Sequence, residues 1–320
     1  MFEKLEEISN SLRGSERLCE YDFLVQLFKI LSFYNFPILL PELNVMSGFS
    51  LRFLYSFDFQ NAYNEDLNYL KCNLFNNIRL NLSIVENVDL KNLIIEKLNK
   101  GIPLILHPEN LLVYKIDSNN LFFFRALFME SSSLENVIKG NRRAIIIEEV
   151  PELKREEVYD IKKFPNLSRH LYENFYKKNI TIKGLRTFVG EDAYIEFIKD
   201  LRDESKQFNG NSKEWFSIPS YAQWTSLYGL LSYFLGIYHF LDRKAQKEGM
   251  KIIKGLEDVI TYWREWGRIV GRESHIPYTR IIPYTARRSS ANSLDKALKS
   301  LKFVVNTFQN IKIIGHLNVS

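Results

Sequence analysis

The chain is poor in cysteine and has no long hydrophobic run, and each shortage closes off a class of protein. Two cysteines, Cys19 and Cys72, stand in 320 residues, too few for a disulfide framework. No CxxC pair or clustered Cys/His spacing goes with them, so neither a metal nor a cofactor is expected. No run of 18 residues is continuously apolar, which argues against a bilayer-spanning helix. The opening residues, MFEKLEEISNSLRG, form a charged helical pattern without the apolar core of a secretory signal. The expectation is a cytoplasmic protein with no membrane partner.

What is present suffices for a large core. Hydrophobic residues make up 46% of the chain, and the length suits one large domain or two moderate ones. The net charge of +5 is unevenly spread. Residues 1–150 carry 15 Lys and Arg against 19 Asp and Glu, a net −4, while residues 151–320 carry 28 against 19, a net +9. The asymmetry supports two regions and places any anionic partner on the second.

The first region reads as α+β. Phe2, Leu5, Ile8 and Leu12 predict a short helix ended by Gly14. A second helix follows Cys19, with Phe23, Leu24, Leu27, Phe28, Ile30 and Leu31 on one buried face, and Asn35 and Pro37 break it. Residues 43–58 lean toward strand or turn around Gly48. Tyr63, Leu67, Leu70 and Leu74 give a partial helical stripe. A helix from Val88 to Asn99 is capped near Asn87 or Asp89 and stopped by Gly101. Strands are expected at 101–106, Leu111–Ile116, Leu121–Phe128 and Ala144–Ile147, with a short helix over Leu134–Ile138. The polar turn Asp117-Ser118-Asn119-Asn120 makes a hairpin of the second and third. An α+β domain over residues 1–150 is the result.

Residues 151–320 read as mainly α-helical, with helices over Leu167–Lys178, Glu191–Arg202, Tyr221–Arg243, Lys244–Gly267 and Ser293–Phe308. Trp263 and Trp266 are expected in the core. Arg280, Arg287 and Arg288 lie among Tyr278 and Tyr284, a pattern suited either to phosphate contacts, of nucleic acid or an acyl carrier, or to a solvated loop. No nucleic-acid motif accompanies them. A last strand is expected near Ile311–Ile314.

Cys19 is the residue whose surroundings point to chemistry. It stands at or just before a helix N-terminus, where free N–H groups and the helix dipole favour a thiolate. Glu16, Glu20 and Asp22 oppose that ionisation if they face it.

Cys19, Pro41, Glu42, Ser47, Gly48, Phe49, Arg52 and Phe53 form a pattern: a cysteine opening a helix, a Pro-Glu pair, then small-Gly-Phe-x-x-Arg-Phe. The pattern resembles the N-terminal half of the butirosin-biosynthesis-protein-H-like family, itself similar to the papain-like fold of bacteriocin-processing cysteine peptidases. The likeness covers roughly residues 15–150. It implies a papain-like domain in which Cys19 attacks a thioester or amide carbonyl, and a cleft near Ser47, Gly48 and Arg52. An acyl carrier, a peptide or a small molecule would be the partner. Two departures bear on activity. The resemblance places the catalytic histidine at Glu109 or Asn110, and the carboxylate that orients it in the region of Arg125-Ala126-Leu127. His107, two residues before Glu109, is the available substitute, and a distant His239 or His275 is another. The expectations are therefore a catalytically degenerate binding or assembly module, a cysteine-dependent acyltransferase or peptidase, and, more weakly, a nucleic-acid binder.

Overall fold

The computed structural model of the chain describes residues 2–12, 22–56, 67–125, 127–147, 149–158, 164–177, 179–182, 185–206, 213–274 and 284–311. In chain order the elements begin with α1 (Phe2–Ser11), α2 (Asp22–Phe33), α3 (Leu40–Met46), a 3-10 turn (Phe49–Leu51) and β1 (Leu54–Tyr55). They continue with α4 (Leu67–Ile78), β2 (Ser83–Glu86), α5 (Leu90–Asn99), β3 (Leu104–His107), β4 (Leu111–Asp117), β5 (Asn120–Arg125) and β6 (Phe128–Ser133). Next come α6 (Leu134–Gly140), β7 (Arg143–Ile146), α7 (Arg155–Val158), α8 (Phe164–Phe175), β8 (Asn179–Ile182) and β9 (Leu185–Val189). The chain closes with α9 (Gly190–Arg202), α10 (Lys213–Tyr238), α11 (Arg243–Ser274) and α12 (Tyr284–Asn310). It divides into two compact units, Met1–Ser47 with Leu67–Tyr159, and Gly48–Asp66 with Asp160–Ser320. Residues 48–66 thus go with the second unit, whereas the pattern of the sequence groups them with the first.

The first unit is built on a six-stranded antiparallel sheet in the order β2-β7-β3-β4-β5-β6. Alternation along the strands puts Leu104, Leu106, Leu111, Val113, Leu121, Phe123, Ala144 and Ile146 on one face. There they meet Leu90, Ile94 and Leu98 of α5 and Leu134 and Val137 of α6. Both helices are capped by the residues that precede them: Asp89 accepts from the N–H groups of Lys91 and Asn92, and Ser133 from that of Asn136. A bulge in β4 between Val113 and Lys115 shifts the register by one residue, which carries Ile116 onto the same buried face. The expected turn is there too, with Asp117 paired to Asn120 and Ser118 at a φ of 54°.

The opposite face holds α2. This helix is not the one-sided amphipath that its spacing predicts, because Gln26 and Lys29 are fully buried along with Phe23, Leu24, Leu27 and Ile30. Burying those two polar side chains requires partners. Gln26 donates to the Phe124 carbonyl at 3.3 Å, and the Lys29 ammonium lies 4.3 Å from the centre of the Phe124 ring, a cation–π contact in a desolvated setting. Tyr114 stacks on the same ring at 4.8 Å.

Two other departures have local causes. Residues 43–46 are helical, in α3, because Glu42 holds the helix start: its carboxylate accepts from the Leu39 N–H at 2.9 Å and takes Arg155 through both oxygens at 2.5 Å. The segment expected as one strand over Leu121–Phe128 is two, with β6 turning back antiparallel from Phe128.

Tyr114 supplies a pH test of this unit. Burial pushes its pKa up to about 12, with the Glu6 carboxylate acting in the same direction. A phenol whose pKa is higher folded than unfolded stabilises the fold fully below about pH 10, its unfolded value, and loses that contribution as pH rises through the folded value. The stability of the first unit is therefore expected to fall between about pH 10 and 12. Tyr114→Phe is expected to remove that segment of the curve, as followed by far-ultraviolet circular dichroism in urea at fixed pH. An unchanged alkaline limb in Tyr114→Phe would contradict the assignment.

The second unit is mainly helical, as its periodicity indicates, but it also holds a three-stranded antiparallel sheet in the order β1-β9-β8. Trp263 and Trp266 are core residues. Phe53, one residue before β1, packs edge-on against Tyr194, Phe197 and Trp263 with ring centres 4.8, 5.8 and 5.6 Å away. The Trp263 indole donates to the Tyr194 hydroxyl at 2.8 Å, which satisfies its one polar atom inside the core. Among the described residues no helix is long and apolar enough to cross a membrane.

Candidate functional site

Hydrogen bonds along α1 fix which end of the sheet α2 starts from. Lys4, near the start of α1, donates to the Phe33 carbonyl at the end of α2. Ser9, near the end of α1, donates to the Leu127 carbonyl, just beyond β5. The two helices are thus antiparallel, and α2 begins at the end of the sheet where β3 finishes with His107 and β5 with Arg125. α2 is described from Asp22. Cys19, three residues earlier in sequence, lies outside the described residues.

His107 is the last residue of β3 and pairs with Arg143 of β7. Leu104 and Leu106 face α5 and α6, so alternation turns Ile105 and His107 toward the α2 face. The side chain is not in a loop: His107 is 2% exposed. The β3–β4 turn follows it through a cis His107-Pro108 bond and ends at Asn110 with a φ of 53°, a left-handed position that asparagine tolerates. The Asn110 Oδ1 is buried without a hydrogen-bond partner.

Glu109, one of the two positions where the resemblance would put a base, and Arg125, one of the three in the region where it would put the orienting carboxylate, are neighbours in space. Glu109 and Arg125 form an ion pair at 2.9 Å, and Arg125 also reaches Glu130 at 3.3 Å. The neighbouring carboxylates raise the pKa of the guanidinium against the opposing effect of burial. Glu109 is positioned from the other side by its N–H, which donates to Asn141 at 3.2 Å.

The remaining candidate residues belong to several segments of the chain. Ser47 ends α3 in the first unit, its hydroxyl donating to the Asn44 carbonyl at 2.6 Å. Gly48, at a φ of 80°, turns the chain into the 3-10 helix, a backbone position that favours glycine. Arg52 closes that turn and is 1% exposed, so it does not line an open surface.

Arg280 and His275 lie outside the described residues. Arg287 and Arg288 are not in a loop but near the start of α12. Arg288 is exposed. Arg287 is 3% exposed, donates to the Asp203 carbonyl at 3.0 Å and lies 5.4 Å from the Tyr284 ring. Its role is therefore to close the second unit's packing. Arg287→Ala is expected to cost that unit about 2 kcal/mol, the range for a hydrogen bond from a charged donor, read from the urea midpoint. No loss of stability would return Arg287 to the candidate anion-binding surface.

Cys72 is exposed and free. No cluster of three or more histidine, cysteine, aspartate or glutamate side chains that could hold a metal occurs among the described residues. No known family model and no curated protein matches the chain.

Proposed function

We propose that the first unit is a catalytically degenerate papain-like domain that serves as a binding or assembly module. The observation that carries this reading is the Glu109–Arg125 ion pair. In a working thiol enzyme of this kind, a base must stand within hydrogen-bond reach of sulfur and a third group must orient it. Glu109 and Arg125, each among the positions proposed for those two roles, are adjacent, yet they are a carboxylate and a guanidinium. A carboxylate is in general a weak base toward a thiol, and arginine does not give up its proton at all. The arrangement around the pair also supports the reading, with a buried helix laid on an antiparallel sheet and starting at the end where the pair sits. The partner proposed for the module is a peptide, a small ligand or another protein.

One observation favours a second reading. His107 is buried on the α2 face at the end of the sheet where α2 begins, and it is the imidazole a Cys19 thiol would need. On this reading the chain is a cysteine-dependent acyltransferase or peptidase with a displaced base, and the N–H groups at the start of α2 hold the oxyanion.

The two are separated by acyl capture. The Cys72→Ser protein is incubated with an N-acetylcysteamine thioester and with a short peptide ester, and its intact mass is followed. The degenerate module is expected to gain no acyl group at Cys19 and to release no product. A single adduct mapped to Cys19, absent in Cys19→Ala and slowed in His107→Ala, would overturn it in favour of the enzyme.

A further inference from the structure

In the first unit, β6 is an edge of the six-stranded sheet, hydrogen-bonded to β5 and to no strand on its other side. Proteins blunt such edges with lysine, proline, a bulge or a very short strand. β6 has none of these: its six residues read FMESSS and pair with β5 without a break in register. The other edge, β2, has four residues and carries Glu86, ion-paired to Arg143. β6 also displays two large apolar side chains, Phe128 at 69% and Met129 at 54% exposed. Its one charge, Glu130, is already paired with Arg125.

The ladder fixes which backbone groups of β6 face outward. The Leu134 N–H donates to the Asn119 carbonyl at 2.9 Å, one step beyond the Asn120–Ser133 pair. Hydrogen-bonded and non-hydrogen-bonded pairs alternate along an antiparallel ladder, so Ser133, Ser131 and Met129 turn their N–H and C=O groups away from β5. Among the described residues no backbone hydrogen bond from another element reaches Met129 or Ser131.

We propose that β6 pairs antiparallel with β6 of a second copy of this chain, about a two-fold axis at Ser131, joining the two sheets into one. Symmetry limits the register, because a two-fold axis normal to the sheet sets one residue of the strand opposite itself. Centred on Glu130 it would oppose like charges. Centred on Met129 or Ser132 it leaves a short overlap. Centred on Ser131 it sets Glu130 against Ser132 and Met129 against Ser133, while the outward groups of the two Ser131 residues bond across the axis. Phe128 selects a second copy over an unattached peptide strand. It pairs with Arg125 in line with Phe123 and Leu121, on the sheet face that α5 and α6 cover. The Ser131 register carries it past the end of the other copy's β6 to the first turn of that copy's α6, a cover that a lone strand lacks. A single strand pair is smaller than the interface of a permanent dimer, so the association is weak and concentration-dependent. It uses β6 and α6 alone, so its failure leaves the reading of Cys19 and His107 untouched.

The test is sedimentation velocity of the whole chain, carrying Cys19→Ala and Cys72→Ser, from about 1 to 300 µM, the range for an interface of this class. The mass is expected to rise from one chain toward two. Ser131→Pro removes an outward N–H, which an edge strand tolerates, and Met129→Lys puts the usual blunting residue on the edge. Each is expected to weaken dimerisation at least about tenfold, while the circular dichroism and the urea midpoint of the dilute protein stay with the parent. Met129→Lys decides the matter if the proline variant does not fold. Ser131→Cys reads the register: mild oxidation is expected to link two copies through it, since the opposed Cα atoms stand about 5.5 Å apart. Met129→Cys, about 13 Å from its equivalent, is not expected to link. A single-chain mass at every concentration would overturn the proposal and leave the edge to a foreign strand. A dimer unaffected by Met129→Lys, or one linked through Met129→Cys and not through Ser131→Cys, would overturn it as well.

Discussion

Phe53→Ala is expected to lower the stability of the second unit by about 3–5 kcal/mol, the range for removing a fully buried aromatic side chain. Phe53 is the hub of an aromatic cluster, with Tyr194, Phe197 and Trp263 all edge-on to it. Such contacts add to the loss of buried area. The surroundings are poorly able to close the gap. Trp263 is tied to Tyr194 by its indole hydrogen bond, and Phe197 packs edge-on against Trp266 at 5.4 Å. In urea, the tryptophan fluorescence midpoint should fall with little change in slope. Phe53→Leu is expected to cost less than half as much, since most of the volume is kept. A loss below about 1 kcal/mol in Phe53→Ala would mean that the cluster relaxes freely and is not the core described here.

Gly190→Ala is the second large effect, about 3 kcal/mol or more, and its cause lies in the backbone. Gly190 opens α9 at a φ of 56°, a left-handed conformation that costs an L-residue with a Cβ. A methyl group there would meet the Phe175 carbonyl oxygen at 2.1 Å. That atom belongs to the last residue of α8, so relief requires moving one helix against another. The Gly190 N–H also donates to the Phe53 carbonyl at 2.8 Å, which couples the same joint to the aromatic hub. The urea midpoint of the tryptophan signal reads this variant too. A midpoint within error of the parent would show that α8 and α9 shift apart without resistance.

Much of this architecture was legible in the amino-acid order, and the misses share a cause. Local signals served well. Asp89 caps a helix, Gly101 follows its end, Ser118 and Asn119 turn a hairpin, and the paired tryptophans are core. Burial imposed by distant elements was not legible. Lys29 and Gln26 carry polar side chains that place them on a solvent face by pattern, yet α2 is covered on that side too, where the Phe124 ring and carbonyl meet them. Residues 43–46 look β-leaning by composition but are held helical by Glu42, whose Arg155 partner stands more than 100 positions away. The strands β8 and β9 were hidden in a stretch short of the usual apolar alternation.

The site divides in the same way. Glu109 stood out only through the resemblance, and His107 as the histidine two residues before it, but the pairing of Glu109 with Arg125 needed the sheet. Arg287 gave a misleading signal, because a basic residue among tyrosines reads as surface until its helix is seen to pack.

The central claim concerns a thiol, and its reactivity can be measured directly. With Cys72→Ser removing the exposed thiol, the rate of iodoacetamide labelling at Cys19 is followed from pH 5 to 9 and mapped by mass spectrometry. The Glu109–Arg125 pair leaves no activating base at the position proposed for one. Labelling should therefore be slow and titrate near or above the ordinary thiol value of about 8.5. Fast labelling that titrates below about pH 7 and loses its low-pH limb in His107→Ala would show an activated thiolate. It would contradict the degenerate module and establish Cys19 and His107 as a catalytic pair.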